Sequence, residues 1–363
     1  MTVELVGLTC REMEELLVRM GEPAYRGRQV CRWVYREGAG EVEAMTDLPL
    51  TLRRRLAESV TITLPVLQLQ RQSRDGTRKL LLGLEDGLTV ETVLIPQPRK
   101  AGFTLCLSSQ VGCPVGCPLC ATGMSGFRRN LGVHEIVGQY LLARGLLRRE
   151  EQTGVIRNVV FMGMGEPLLN YEAVLKAVRI LTDTAAVGMA QRHVTISTAG
   201  EVEGIRRLAG EGLQVNLAVS LHAASNRVRD VLVPLNRKYP LELLEQALQE
   251  YFARTGRRIT LEYVLVEGVN TSNGDARALA RFARSLRANV NLIPYNPVSG
   301  SPYRRPSAAE VRRFQREVEA GGVRAPVRQE HGSDIEAACG QLRAKNAPGR
   351  GRKSAPAHRT SRE

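Results

Sequence analysis

Phe103-Thr-Leu-Cys106-Leu-Ser-Ser-Gln-Val-Gly-Cys113-Pro-Val-Gly-Cys117-Pro-Leu-Cys120 is the stretch on which the fold turns. Its first part, Thr104 to Ser108, is a short apolar run suited to a buried strand. The loop that follows places three thiols, Cys113, Cys117 and Cys120, within eight residues. Three thiolates can hold three irons of a cubane and leave the fourth open for a small-molecule ligand, whereas structural zinc takes four protein ligands. Gly112 and Gly116 let the loop wrap a cluster closely. The same residues also allow a zinc knuckle completed by Cys106 or a distant His.

Working outward from that loop, apolar strand candidates alternate with helical stretches, the pattern of βα units around a parallel sheet. Six strands are expected: Thr104 to Ser108, Asn158 to Met162, His193 to Ser197, Val215 to Leu221, Ile259 to Val266 and Asn289 to Ile293. Helices are expected near Val133 to Arg149, Tyr171 to Thr184, Glu201 to Glu211, Leu241 to Arg254 and Asp275 to Arg287, each long enough for a right-handed crossover. A helix near Ala308 to Ala320 and a short strand near Arg324 to Arg328 close the domain. Six units are too few for an eight-stranded barrel, so the fold class is α/β, a partial, open (β/α)6 barrel with its mouth at the strand C-terminal ends.

Upstream, residues 1–60 read as a small helical accessory domain for RNA binding, with helices over Cys10 to Gly21, Gly27 to Glu37 and Leu50 to Glu58. Residues 61–101 read as a β-rich linker whose hairpins turn at Asp75-Gly76 and Asp86-Gly87. The barrel core spans 102–343. Residues 344–363, rich in Pro, Gly, Ser and Arg with no apolar period, read as a disordered basic tail.

The chain has 363 residues, 43% of them hydrophobic, enough to bury a sizeable core. No run of ~18 apolar residues occurs and the first residues lack a signal peptide's layout, so a cytoplasmic protein is expected. Lys and Arg number 51 against 37 Asp and Glu, a net charge of +14 that suits a polyanionic partner. Part of that excess lies in the tail, where Arg343 to Arg362 supplies seven basic residues. The seven cysteines are an odd number, four of them crowded between Cys106 and Cys120, which argues for metal or redox chemistry over a disulfide framework. Cys10 and Cys31 lie on apolar helical patterns and read as small buried hydrophobes.

The Cys113, Cys117, Cys120 spacing resembles that of the radical S-adenosylmethionine (SAM) superfamily, and the likeness runs from about Gly102 to Gln341. It implies a SAM-coordinated [4Fe-4S] cluster, one per chain, and a 5'-deoxyadenosyl radical. Phe161-Met-Gly-Met-Gly165-Glu166-Pro167 resembles the superfamily's element for the cofactor amino group. Cys106 and Cys339, the latter in Gly332-Ser-Asp-Ile-Glu-Ala-Ala-Cys339-Gly-Gln-Leu342, narrow the resemblance to the RlmN/Cfr RNA methyltransferases. So do Tyr25-Arg-Gly-Arg-Gln29, Met45-Thr-Asp-Leu-Pro49, Val90-Glu91-Thr-Val93 and Ser108-Ser-Gln-Val-Gly-Cys113.

That resemblance implies Cys339 as an S-methylcysteine intermediate, Cys106 as its transient disulfide partner and Glu91 as proton acceptor. By itself Glu91 would read as a solvated strand carboxylate. SAM contacts are implied at Gly165, Glu166, Ser197, Ser220, Leu221, His222 and Asn296. His134, His193, His331 and His358 read as structural or exposed. The implied activity is methylation of carbon 2 of an adenine in 23S rRNA near the peptidyl transferase centre and in tRNA beside the anticodon, using two SAM molecules. A monomer served by an electron donor such as flavodoxin or ferredoxin, with no membrane partner, would suit it. Glu330-His-Gly332 favours carbon 2 over the Cfr-type alternative, carbon 8 of the rRNA adenine. A zinc-stabilised RNA-binding protein and a radical enzyme for a small metabolite are the remaining readings. The outlying cysteines and Gly165-Glu166 weigh against the first, and the charge and N-terminal module against the second.

Overall fold

A computed structural model describes residues 2–97, 101–149 and 154–343. The chain starts with strand β1 (Val3–Glu4) and helices α1 (Cys10–Arg19), α2 (Ala24–Arg32) and α3 (Leu50–Ser59), which leads into β2 (Val60–Thr61). Strand β2 pairs in parallel with β1 and closes this N-terminal unit. A capping box starts α1: Glu12 N–H donates to the Thr9 hydroxyl, and Thr9 N–H donates to the Glu12 carboxylate at 2.7 Å. The expected second helix changes character midway, becoming one π turn over Trp33–Glu37 that ends at Gly38.

Helices α1 and α2 cross where Gly27 meets Glu14, and a Cβ at Gly27 would collide with the Glu14 backbone. That close approach brings Cys10 and Cys31 to a Cα separation of 5.3 Å, and their sulfurs are paired as a disulfide. Both side chains are buried as expected, but their reading as separate small hydrophobes is corrected. Polar contacts dock this unit on the barrel. Lys176 pairs with Glu12 at 2.7 Å, and Arg36 donates to the Ala186 carbonyl at 3.1 Å.

Three antiparallel strands follow, β3 (Val66–Gln72), β4 (Arg78–Gly83) and β5 (Thr89–Pro96), with turns at the two Asp-Gly pairs. They are more than a linker, because β5 pairs with β6 (Phe103–Cys106) and so extends the barrel sheet. Next come β7 (Gln110–Gly112), α4 (Ala121–Met124) and β8 (Phe127–Asn130). The barrel continues with α5 (Val133–Arg149), β9 (Ile156–Phe161), α6 (Tyr171–Thr182), β10 (Val194–Thr198), α7 (Val202–Ala209) and β11 (Asn216–Ser220). Then follow α8 (Asn226–Leu232), α9 (Leu241–Thr255), β12 (Thr260–Leu265), α10 (Asn273–Ser285), β13 (Asn289–Pro294) and α11 (Ala308–Ala320).

One nine-stranded sheet runs in the order β13-β12-β11-β10-β9-β6-β5-β4-β3. Strands β6 and β9 to β13 are parallel and joined by helices, giving the open, partial barrel expected. The short strand expected near Arg324 to Arg328 is reduced to a single bridge between Leu292 and Val327. Pro326 has no N–H to extend a ladder. No helix among the described residues is long and apolar enough to cross a membrane. The tail 344–363, with His358, lies outside the described residues.

Candidate active site

The loop bearing the three clustered thiols hangs from a hairpin absent from the sequence reading, in which β7 pairs with β8. Gly112 ends β7 at φ +76°, and a Cβ there would run into the Gly126 carbonyl oxygen. Cys113 N–H donates to that carbonyl at 3.0 Å, so the hairpin holds the first thiol in place. Apolar side chains of Val115, Leu119, Val233 and Tyr295 pack around the loop.

Cys113, Cys117 and Cys120 line one cavity at the C-terminal ends of the parallel strands, together with Gly165, Glu166, Ser197, Ser220, His222, Asn296 and Cys339. Among the described residues no three His, Cys, Asp or Glu side chains converge as they would around a single metal ion. A cubane takes one thiolate per iron, and all three clustered thiols border the same cavity. Burial pushes the Cys113 thiol up to about 12 and Cys117 well above its usual range, so iron binding there is coupled to loss of protons. The residues fit a [4Fe-4S] cluster with SAM beside it.

Glu166 is buried, and burial raises its carboxyl to about 7. Its oxygens accept from Ala199 N–H at 2.6 Å and Leu168 N–H at 3.1 Å, which fix it towards the cavity. An ammonium group would supply the missing positive charge. His222 sits at φ 56° and accepts from Val264 N–H through Nδ1 at 3.2 Å, and burial holds its ring down at about 3, uncharged. Leu221 does not border the cavity. It is fully buried, and its N–H donates to the Glu262 carbonyl.

Asn296 donates to the Cys339 carbonyl at 3.1 Å. Ala121 N–H donates to Gly340 O at 2.7 Å and Thr122 to Leu342 O at 2.6 Å, so the segment carrying Cys339 already lies over the mouth. Cys339 is exposed and borders a second, adjoining cavity that Cys106 also lines. The free thiols Cys106 and Cys339 thus face a common space. Burial pushes Cys106 up to about 12.

Glu91 lines neither of these cavities. Its position follows from register: Val93 stands opposite Cys106, and Glu91 is on the same face two residues along β5, roughly 6–7 Å from Val93. There it is buried in a small separate pocket, 3.2 Å from Lys79 Nζ and accepting from Arg343 N–H at 2.8 Å. It is not the solvated carboxylate that its sequence context suggests.

Several polar residues that organise the mouth carry no motif of their own. Gln139 on α5 exchanges hydrogen bonds with Ser108, accepting from its N–H at 2.9 Å and donating to its carbonyl at 3.0 Å. The Ser108 hydroxyl donates to Glu91 O at 2.6 Å, and Gln110 accepts from Glu166 N–H at 2.8 Å. Arg229 on α8 is fully buried and donates to the carbonyls of Leu221 at 3.1 Å and Ala199 at 2.6 Å. It thereby ties together the loops after β10 and β11. The apolar spacing of α5 does not mark Gln139, and Arg229 reads in sequence as one of many exposed arginines.

Two adjacent arginine pairs of the barrel, Arg128-Arg129 and Arg257-Arg258, are partly internal. Arg129 is bonded to Glu135 at 2.7 Å and Asp86 at 2.6 Å, and Arg257 donates to Asn216 at 2.6 Å. Arg128 and Arg258 remain exposed. His193 bonds Asn158 at 2.7 Å away from the thiols, whereas His331 bonds Asp75 at 3.1 Å and borders the second cavity with Cys106 and Cys339.

Residues 3–62 match the ribosomal RNA large subunit methyltransferase N-terminal domain, and residues 107–280 match the radical SAM superfamily. The chain is 49% identical to a probable dual-specificity RNA methyltransferase RlmN of Syntrophomonas wolfei, over 94% of this chain and 97% of that protein. It is 50% identical to the protein of the same name from Moorella thermoacetica, with the same coverage. A crystal structure of a radical SAM methyltransferase from Sphaerobacter thermophilus superposes with a TM-score of 0.89 at 47% identity, covering 94% of this chain and 100% of that one.

Proposed function

The chain belongs to the RlmN family of dual-specificity RNA methyltransferases, and from that premise we propose that it methylates carbon 2 of an adenine in 23S rRNA and in tRNA with Cys339 as the carrier of the new carbon. Its rRNA target is at the peptidyl transferase centre and its tRNA target beside the anticodon. The observation that carries this reading is the position of Cys339 on the border of two cavities, one walled by the three clustered thiols and the other by Cys106.

Cys113, Cys117 and Cys120 hold the cluster, while Gly165, Glu166, Ser197, Ser220, His222 and Asn296 surround SAM. When bound, the cluster and SAM supply a methyl group and a 5'-deoxyadenosyl radical. Cys339 accepts the methyl on sulfur, and one of the methyl hydrogens would pass to the deoxyadenosyl group. The methylene left on sulfur bonds to the ring carbon, the adduct's unpaired electron being returned to the electron carrier. Cys106 then attacks the Cys339 sulfur, which releases the methylated base and leaves a disulfide for cellular thiols to reduce. Glu91 accepts the ring proton. To do so it must exchange the Arg343 N–H for substrate, so the segment from Ala337 to Arg343 lifts when RNA enters. Flavodoxin or ferredoxin supplies the electron, and the enzyme works as a monomer.

The test uses anaerobically purified, cluster-loaded protein. A Cys106→Ala protein accumulates RNA covalently joined through Cys339, and a Cys339→Ala protein loses both the link and the product while keeping its iron. Mass spectrometry of the digested RNA reads the methylated carbon. Full methylation by Cys339→Ala would sink the assignment, and methyl at carbon 8 would replace the carbon 2 reading.

A further inference from the structure

The two cavities share one cation. Among the described residues that line either of them, Arg328 is the one arginine or lysine, and it lines both. Its backbone is pinned beside β13, where Arg328 N–H donates to Leu292 O at 2.8 Å. From there the guanidinium reaches inward, with Nη1 3.8 Å from the Glu262 carboxylate and 3.9 Å from Met162 Sδ. About a third of the side chain stays open, 32%, on the cavity side.

Glu262 is held through Oε1 by Asn291 at 3.0 Å, and its buried Oε2 accepts no hydrogen bond. At 3.8 Å the pair with Arg328 is too long for one. A closed arginine–carboxylate fork would sit near ~2.8 Å with two parallel bonds. Here the carboxylate instead steadies a guanidinium whose donors remain available to a third group in the cavity. Cys106 and Cys339 border the second cavity together with Arg328. Val93, Ile95, Val160 and Ile293 give that cavity apolar walls suited to the faces of a purine.

On the function proposed above, on which this inference rests, the carbon to be methylated lies between those two sulfurs. We propose that Arg328 is a further catalytic residue, whose guanidinium donates a hydrogen bond to a ring nitrogen of the target adenine in the second cavity. The carbon under attack is flanked by ring nitrogens, and a cation on one of them draws electron density out of the ring. Arginine does this without losing its own proton. A fixed donor in a water-poor cavity is worth far more than the same donor in solvent.

The experiment compares Arg328→Met and Arg328→Lys, each also carrying Cys106→Ala, with the Cys106→Ala parent, all cluster-loaded and given an in vitro transcript of the rRNA target region. Arg328→Met is expected to keep its iron, its RNA affinity and methylation of Cys339, read by intact mass. It should form the covalent RNA link at a rate lower by about 100-fold, the size of effect seen when one such donor is removed. Arg328→Lys, which keeps the charge, should recover part of that rate. An undiminished link in Arg328→Met overturns the proposal, as does a lysine variant no better than methionine. Loss of Cys339 methylation would also overturn it, by making Arg328 a SAM contact. A matching loss of RNA affinity would do so by making it a phosphate contact. No link in the Cys106→Ala parent would instead overturn the reading of Cys339, and this proposal with it.

Discussion

His222 shows how much one residue's surroundings decide. Its positive φ is rare for a side chain of that size, and its ring is enclosed and accepts a backbone hydrogen bond. Burial holds the folded ring down at about 3, while the unfolded chain takes a proton near the ordinary imidazole value of 6.5. The contribution to stability is therefore complete above pH 6.5 and is lost progressively as pH falls towards 3. Between pH 7 and pH 5 the loss amounts to about 2 kcal/mol. His222→Asn keeps a residue tolerant of positive φ and an acceptor for Val264 N–H, but cannot titrate. Thermal melting of the variant should show a flatter acid limb than the parent, and an identical acid limb would contradict the assignment.

At the scale of elements, the hairpin of β7 and β8 decides whether the three thiols can gather. Its critical point is Gly112, where the backbone is left-handed and the Gly126 carbonyl leaves no room for a Cβ. Gly112→Ala combines left-handed strain of about 1–2 kcal/mol with overpacking of about 1–3 kcal/mol. The expected outcome is a lower melting temperature and iron loading well below that of the parent under the same reconstitution. Normal iron content with unchanged melting would show that the hairpin does not govern the loop. The capping box of the N-terminal helices is formed among their own residues, while their buried side chains join the same hydrophobic core as the barrel.

Over the whole molecule, the charge of +14 governs the approach of RNA. Arg129 and Arg257 spend their charge inside the fold, so other arginines, Arg128 and Arg258 among the exposed ones, are left to meet phosphate. Release of counterions then makes binding salt-dependent. Filter binding of a target transcript should weaken at least about tenfold between 50 and 200 mM salt. Affinity that stays flat over that range would exclude a phosphate-led interface.

Elements whose evidence is local were legible in the sequence. The six parallel strands appear as apolar runs between turn residues, the helices between them as periodic stretches, and the cluster loop as a spacing of three thiols. Those signals lie within a few residues of one another, and tertiary packing did not override them. Contacts between distant segments were decided only by the fold. Glu91 meets Arg343, Arg328 meets Glu262, and Arg229 ties Ala199 to Leu221 across separate loops. Cys10 reaches Cys31 because Gly27 admits close helix packing. A side chain's burial, charge partners and reach sum over every segment packed around it, so the sequence alone determined the barrel and its thiol loop. The folded chain determined which polar groups face the reacting sulfurs.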